Sequence, residues 1–205
     1  MAGNRYAELA FTESVRAEQA RLGSRAAYER QESGDTKNDR LGPDEAAFIG
    51  AQDHFFIATV GETGYPYVQH RGGKPGVLQV LDANTVAFAD LRGNRQYVTV
   101  GNLRRNDRVS LFLLDQGSQA RLKLLGRARI VEAGEGPEAA ALLARLAVET
   151  SVKVERAIVV QVEAFDWNCS KHIVPRYTAA EVEAVVVPMR QRIRDLEEAA
   201  RAKPR

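Results

Sequence analysis

Three short stretches of the chain concentrate residues that can bind an anion or take part in chemistry. The first, residues 69–76 (QHRGGKPG), sets Arg71 and Lys74 beside glycines. Glycine lets backbone N–H groups approach an anion closely, and the two cations supply charge-assisted hydrogen bonds. Basic glycine-rich loops are also common surface turns, so this stretch is equally consistent with an anion site and with a plain turn.

The second stretch, residues 90–97 (DLRGNRQY), is followed by Thr99, Gly101 and Asn102. It brings arginine, amide and hydroxyl groups into one short connection between predicted strands. Such a density of donors suits a phosphate group and the polar edge of a ring. The alternative is a solvated loop that enters a short helix, because Asp, Asn and Gly favour loops.

The third stretch, residues 166–176 (DWNCSKHIVPR), holds the only Trp and the only Cys of the chain. For Trp167 we favour packing or a dimer contact over ligand stacking. Cys169 is expected to pack as a small residue, because nucleophilic catalysis needs a base and only His172 is near in sequence. Cys169, His172 and His70 are too few and too scattered to predict a zinc site, so no metal is expected.

Bulk properties limit the classes of protein that fit. The chain has 205 residues, 44% hydrophobic and 27% charged, with a net charge of +2. These values predict one globular domain with terminal additions and give no broad field that would attract nucleic acid or a membrane. The sequence has no apolar leader, no long apolar span and only one cysteine. These features predict a cytoplasmic protein that binds neither nucleic acid nor a membrane.

The first 41 residues are predicted to be helical and then exposed. Thr12 is placed to cap a helix over residues 13–22, which Gly23 would end. Residues 31–40 contain no apolar side chain and predict a linker or exposed loop. Gly42 and Pro43 then open a short helix.

From residue 54 the pattern changes to short runs rich in β-branched and aromatic residues. A helix over 137–149, with Pro137 at its first position, interrupts these runs only once. Because strands do not alternate with helices, a closed antiparallel barrel is favoured over a doubly wound sheet. The predicted strands cover residues 55–60, 67–70, 77–81, 85–89, 109–114, 122–131 and 157–162.

The C-terminal segment is predicted to be an amphipathic helix. Thr178 and Glu181 have the spacing of a capping box. Pro188 falls inside the pattern and should kink or split the helix. One face carries an apolar stripe formed by Val182, Val185, Val186, Met189, Ile193 and Leu196.

Four runs of the chain resemble one known family. They are YPYVQHRGGKPGVLQVLD, FADLRGNRQYVTVGNLRRNDRVSLFLLD, RLKLLGRARIVEA and DWNCSKHIVPR. Together they are similar to the flavin-nucleotide-binding branch of the pyridoxamine 5′-phosphate oxidase superfamily, over roughly residues 48–176. Gly93-Asn94-Arg95 and the Trp-Asn-Cys-x-x-His block are typical of that branch.

The resemblance implies a mainly β fold with flanking helices, namely a six-stranded antiparallel split β-barrel. It also implies a homodimer that binds FMN in a cleft between subunits. The expected organisation is an N-terminal helical extension and linker over 1–41, an FMN-binding split-barrel domain over 42–177, and a C-terminal helix over 178–205.

The same resemblance assigns cofactor-binding residues in this chain. Arg95, Thr99 and Asn102 are expected at the phosphate or ribityl chain, and the block from Trp167 is expected to come from the partner subunit or to cover the isoalloxazine. Lys123 stands where many relatives carry arginine, so it lacks the planar fork of that side chain. The full expected set is Arg71, Gly72, Gly73, Val77, Leu78, Asp90, Arg92, Asn94, Arg95, Gln96, Thr99, Asn102, Lys123, Trp167, His172 and Arg176.

The expected activity is that of an FMN-dependent oxidoreductase acting on a small molecule. The chain departs from true pyridoxamine phosphate oxidases at the first arginine loop and at the C-terminal block, which argues against pyridoxal phosphate synthesis. No catalytic residue is implied, and His70, His172 and Tyr97 are the candidates for proton transfer. The alternatives are a non-catalytic flavin-binding or flavin-sensing module, and a haem-binding split barrel with Cys169 or His172 as axial ligand.

Overall fold

The computed structural model describes residues 3–34, 36–147 and 152–201. Its chain divides into two compact units, of which the first contains residues 1–114 and 121–169. The second contains residues 115–120 and 170–205.

The first unit is built on a single sheet of seven strands in the order β2-β1-β5-β6-β7-β4-β3. β1 pairs antiparallel with β2 and β5, and β7 pairs antiparallel with β4 and β6. The sheet is therefore the mainly β, antiparallel fold that the sequence predicts. The strands are β1 His54–Val60, β2 Pro66–Gly72, β3 Gln79–Asp82, β4 Thr85–Leu91, β5 Arg108–Asp115, β6 Ala120–Glu132 and β7 Val154–Trp167.

The sheet curls strongly without closing. The rings of Phe55 on β1 and Phe88 on β4 meet at 5.0 Å between centroids, although three strands separate β1 from β4 in the sheet. Among the described strands, β2 and β3 remain as two edges. The expectation of a closed barrel, and the count of six strands, are therefore not met in this chain: a seventh strand is present and the edges stay unpaired.

Alternation along the strands explains the core. On β1 every second residue is buried, and Phe55 and Ile57 are fully enclosed. β5 repeats this pattern with Leu111 and Leu113, so both strands turn one face to the same apolar cluster. At the bulge between β6 and β7, a Cβ on Gly126 would lie 2.3 Å from the carbonyl oxygen of Gln161, so only glycine allows this close approach.

Seven helices of the described chain flank or follow the sheet: α1 Arg5–Ala10, α2 Glu13–Arg21, α3 Arg25–Glu32, α4 Pro43–Ala51, α5 Val98–Leu103, α6 Pro137–Leu146 and α7 Ala179–Arg201. The predicted Thr12 cap is confirmed, since its side chain accepts a hydrogen bond from the N–H of Val15. α6 starts at Pro137 as predicted and covers a second apolar cluster with Leu143 and Leu146. Residues 148–149 of that predicted helix lie outside the described residues.

The predicted linker over residues 31–40 is held to the sheet. The N–H of Phe165 donates to the carbonyl of Asn38 at 2.8 Å, and the N–H of Leu41 donates to that of Ala83 at 2.7 Å. α3 also continues to Glu32. Polar composition concealed this attachment because it uses backbone groups whose partners are far away in sequence.

The second unit consists of a turn, an extended segment and α7. The side chain of Gln119 donates to the carbonyl of Ile173 at 2.6 Å. The capping box is confirmed, because the N–H of Thr178 donates to Glu181 at 2.7 Å and the N–H of Glu181 donates to the Thr178 hydroxyl at 3.2 Å. α7 continues through Pro188, so the helix is not split there. No helix within the described ranges is long and apolar enough to span a membrane.

Candidate functional site

A cleft of about 260 Å³ lies beside β2 in the first unit. β2 alternates, so Tyr67, Gln69 and Arg71 turn to the cleft and are half-buried while Val68 and His70 are exposed. The remaining lining comes from the end of β4, the loop that follows it, the start of α5 and the start of β7. These residues are Asp90, Leu91, Gly93, Asn94, Arg95, Gln96, Tyr97, Val98, Thr99, Val100 and Glu155.

A buried carboxylate organises one wall of the cleft. Asp90 is 5% exposed and accepts an ion pair from Arg71 at 2.8 Å on one oxygen and from Arg156 at 2.7 Å on the other. Burial alone would lower the pKa of Arg156, but its hydrogen bond and charge interaction with Asp90 raise it above the ordinary value. The Nε of Arg71 is buried and has no hydrogen-bond partner.

The loop before α5 holds two residues in the left-handed region. Arg95 has a φ of 62° and Tyr97 a φ of 53°, and such values in residues other than glycine concentrate at functional sites. Arg95 Nε donates to the Tyr97 hydroxyl at 3.3 Å, and that hydroxyl donates to Glu155 at 3.2 Å. The Arg156 guanidinium lies 5.3 Å from the centre of the Tyr97 ring. These contacts fix both side chains at the rim.

The charges of the cleft leave one guanidinium available. Asp90 is neutralised by two arginines, and Glu155 lies 3.3 Å from Arg156. Arg95 makes no ion pair within the described part of the chain, and its hydrogen bond to Tyr97 raises its pKa above the ordinary value. With the neighbouring amides of Asn94 and Gln96, the cleft can bind an anion through directed hydrogen bonds.

The structure brings together some of the residues that the sequence proposed for cofactor binding and separates others. Arg71, Asp90, Asn94, Arg95, Gln96 and Thr99 all line the cleft. Gly72, Gly73, Val77 and Arg92 are not among its lining residues. The Leu78 side chain is fully enclosed in the core. Asn102 donates to the buried hydroxyl of Thr59 at 2.9 Å, so its amide has a structural partner.

Lys123 and Trp167 lie at the opposite end of β7 from Glu155. Glu155 and Trp167 are twelve residues apart on this strand, which corresponds to about 40 Å of extended chain. Lys123 lies 3.9 Å from Asp166, and Trp167 donates to Glu45 at 2.7 Å. Within one subunit, these two predicted residues therefore do not share the cleft.

The remaining candidates divide among other places. His172 and Arg176 belong to the second unit, where His172 has a φ of 67°. Cys169 is exposed at the end of the first unit. Of the candidates for proton transfer, Tyr97 lines the cleft, whereas His70 lies on the face of β2 opposite Arg71.

Sequence reasoning missed Tyr67, Glu155 and Arg156 as parts of the site. Glu155 and Arg156 precede the apolar run that indicates the last strand, so the predicted strand begins only after them, at residue 157. Arg156 meets Asp90 across 66 positions of sequence. The only local sign that these two residues belong to the site is that an acidic and a basic residue stand side by side at the start of a strand.

Asp166 gives a pH-dependent prediction at the far end of β7. Burial raises the pKa of this carboxyl, and the charge of Lys123 offsets the rise only in part. For a carboxyl whose pKa is raised in the folded state, its own contribution to stability is fully present below its unfolded-state pKa and is lost as pH rises through the folded-state pKa. Asp166→Asn should therefore raise the urea midpoint at neutral pH and leave it unchanged in acid. An equal change at both pH values would contradict this assignment.

Comparison with known proteins adds a family and a fold. The family model described as pyridoxamine 5′-phosphate oxidase matches residues 41–168. The search of curated proteins found no match. Among solved structures, HupZ of Group A Streptococcus is 17% identical, with a TM-score of 0.51 over 67% of this chain and 99% of HupZ.

Two further solved structures are similar at lower scores. A candidate pyridoxamine 5′-phosphate oxidase from Lactobacillus delbrueckii is 20% identical over 62% of this chain and 93% of its own, with a TM-score of 0.48. An FMN-binding protein from Syntrophomonas wolfei is 13% identical over 77% of this chain and 96% of its own, with a TM-score of 0.46. At such identities the likeness concerns the fold alone.

Proposed function

Since the chain belongs to the pyridoxamine 5′-phosphate oxidase family, we propose that it binds FMN in the cleft and is an FMN-dependent oxidoreductase. Its substrate would be a small molecule, and the active form a homodimer. The basis for the proposal is the family together with the arginines and amides that line the cleft.

The observation that carries the proposal is the donor set around Arg95. Its guanidinium has no carboxylate partner in the described chain, and the cleft also holds Arg71, whose Nε is buried without a partner. Such groups suit the phosphate of FMN, because an arginine fork matches phosphate oxygens bidentately. The amides of Asn94 and Gln96 are placed to bind the ribityl hydroxyls.

The volume of the cleft favours a flavin site that is completed by a second subunit. It measures about 260 Å³, whereas sites that enclose a drug-sized ligand usually have about 300–1,000 Å³. One subunit therefore offers room for the phosphate end, and the ring needs a further surface. Lys123 and Trp167 are expected to supply it from the partner, because they are remote from the cleft of their own subunit.

FMN, when bound, supplies the hydride or electron transfer. The residues of this chain would bind and orient it. Arg71 and Arg95 would hold the phosphate, and β2 would form one wall of the site. The Tyr97 hydroxyl accepts a hydrogen bond from Arg95 and donates one to Glu155, and among His70, Tyr97 and His172 it is the candidate for proton transfer that lines the cleft.

A non-catalytic flavin-binding or flavin-sensing module is the second candidate. Among the described residues, the lining of the cleft contains no histidine, cysteine or lysine. Its titratable groups besides arginine are therefore the hydroxyls of Tyr67 and Tyr97 and the paired carboxylates of Asp90 and Glu155. Turnover with NADPH and quinone or nitroaromatic acceptors separates the two functions. Flavin binding without turnover would favour the module.

The test of the cofactor uses the only tryptophan. Adding FMN to flavin-free protein should quench Trp167 emission to saturation at one flavin per subunit, because the partner's tryptophan would lie against the ring. Trp167→Phe is the matched control, in which flavin emission alone reports binding. Saturable binding without tryptophan quenching would remove Trp167 from the site, and absence of flavin binding, or a Soret band in the purified protein, would overturn the FMN proposal.

A further inference from the structure

The C-terminal helix α7 presents an unusually apolar face. Residues of this face are about half exposed: Val182 48%, Val185 56%, Met189 58%, Ile193 55% and Leu196 52%. Exposed apolar surface that continues over several turns usually marks an interaction site. Neither the cleft nor the proposed flavin chemistry uses this face.

Charged residues border the stripe on both sides. With about 100° per residue, Glu183, Arg190 and Arg194 fall on one border, and Glu181 and Arg192 fall on the other. Within the described ranges, Glu183, Arg190 and Arg192 form no ion pair, while Arg194 contacts Gln191 and Glu181 closes the capping box. The helix therefore carries acidic charge in its first turns and unpaired basic charge in its middle.

We propose that α7 is a docking surface for the α7 of a second copy of this chain, in antiparallel orientation with Val182 against Ile193. A two-fold contact of this kind uses the same face of both copies. In this register Val185 packs near Met189 of the second copy, so the stripes cover each other. Apolar contact supplies the stabilisation and the borders set the orientation.

The charges select the antiparallel arrangement. Antiparallel helices bring like borders together, so Glu183 of each helix lies between Arg190 and Arg194 of the other. On the second border, Glu181 lies near Arg192. A parallel pair in register would instead place the acidic first turns of the two helices side by side, and likewise their basic middle segments. This repulsion between like charges is destabilising.

The later acidic residues do not oppose this register. Asp195, Glu197 and Glu198 fall opposite residues 177–180 of the second copy, and that segment (YTAA) is uncharged. Pro188 lies outside the stripe, so its ring does not separate the two apolar faces. The inference rests on α7 alone and is independent of flavin binding.

Disulfide trapping in the full chain tests the orientation. In a Cys169→Ser background, which removes the only native thiol, Val182→Cys chains are mixed with tagged Ile193→Cys chains under mild oxidation. The mixed disulfide should be the main product. Self-linked Val182→Cys dimers as the main product would show a parallel pair, and the absence of cross-links from either variant would also overturn the proposal.

Charge reversal tests the borders without cysteine. Glu183→Lys should raise the dissociation constant of the α7 contact about tenfold. The substitution occurs in both copies, so the two-fold contact loses attraction to Arg190 and Arg194 at two places and gains repulsion there. Adding Arg190→Glu should restore it. Glu198→Lys makes the same charge change on the opposite face and is the control, and an equal weakening in that variant would contradict the register.

Discussion

Asp90→Ala is expected to destabilise the fold by about 3 kcal/mol, since removing one partner of a buried ion pair leaves the other charge uncompensated. Asp90 holds Arg71 at 2.8 Å, and the Arg71 side chain is only 19% exposed. In this variant Arg156 would keep its ion pairs with Glu132 at 3.4 Å and Glu155 at 3.3 Å. Most of the lost stability would therefore come from Arg71, whose charge would be left without a partner. Urea unfolding at neutral pH measures the loss.

Asp107→Ala is the matched control for that experiment. Asp107 also pairs with an arginine, Arg127 at 2.9 Å, but both side chains are about half exposed. Exposed pairs contribute only about 0–1 kcal/mol. If the two variants lost the same stability, the Asp90 pair would have no special place in the fold.

Arg95→Ala is expected to weaken FMN binding by roughly ten- to a hundredfold while the fold stays intact. Arg95 would donate charge-assisted hydrogen bonds to the phosphate, and it is on the surface of its unit with no ion pair to lose among the described residues. Titration followed by quenching of flavin fluorescence measures the affinity, and circular dichroism checks the fold.

Two further variants sharpen the interpretation. Arg95→Lys keeps the charge without the planar fork, so it should bind with intermediate affinity. Arg105→Ala removes an exposed arginine that does not line the cleft and that pairs with Glu62 at 2.9 Å, and this variant should bind FMN normally. A uniform loss in all three variants would indicate a general charge effect, and unchanged affinity in Arg95→Ala would remove the phosphate from this loop.

The strands could be predicted from sequence where short runs rich in β-branched and aromatic residues stand between turns. The described strands β1 to β6 agree with the predictions to within about two residues. β7 proved longer at both ends. Its extensions carry Glu155, Arg156 and Asp166, whose charges interrupt the apolar pattern although each has a partner in the fold.

The candidate site could be predicted only where its donors are contiguous. The sequence proposes the loop over residues 90–97 for cofactor binding because its arginines and amides stand together, and all of its residues except Arg92 line the cleft. Their contact with a cofactor stays a prediction. Arg156 could not be predicted as part of the site, because its carboxylate partner, Asp90, is 66 positions away in the sequence. Asn102 stands in the same dense segment, yet the structure ties it to Thr59, a partner that spacing does not reveal.

The carboxylate shared by two arginines also constrains how this protein can change over generations. A lineage that loses Arg71 keeps Asp90 neutralised by Arg156, and a lineage that loses Arg156 keeps it neutralised by Arg71. Losing Asp90 first leaves Arg71 without a counter-ion. The three positions are therefore coupled, and the order of substitution matters: when Arg71 is exchanged before the aspartate, Arg156 still has Glu132 and Glu155 after Asp90 is lost, whereas the reverse order passes through a destabilised ancestor.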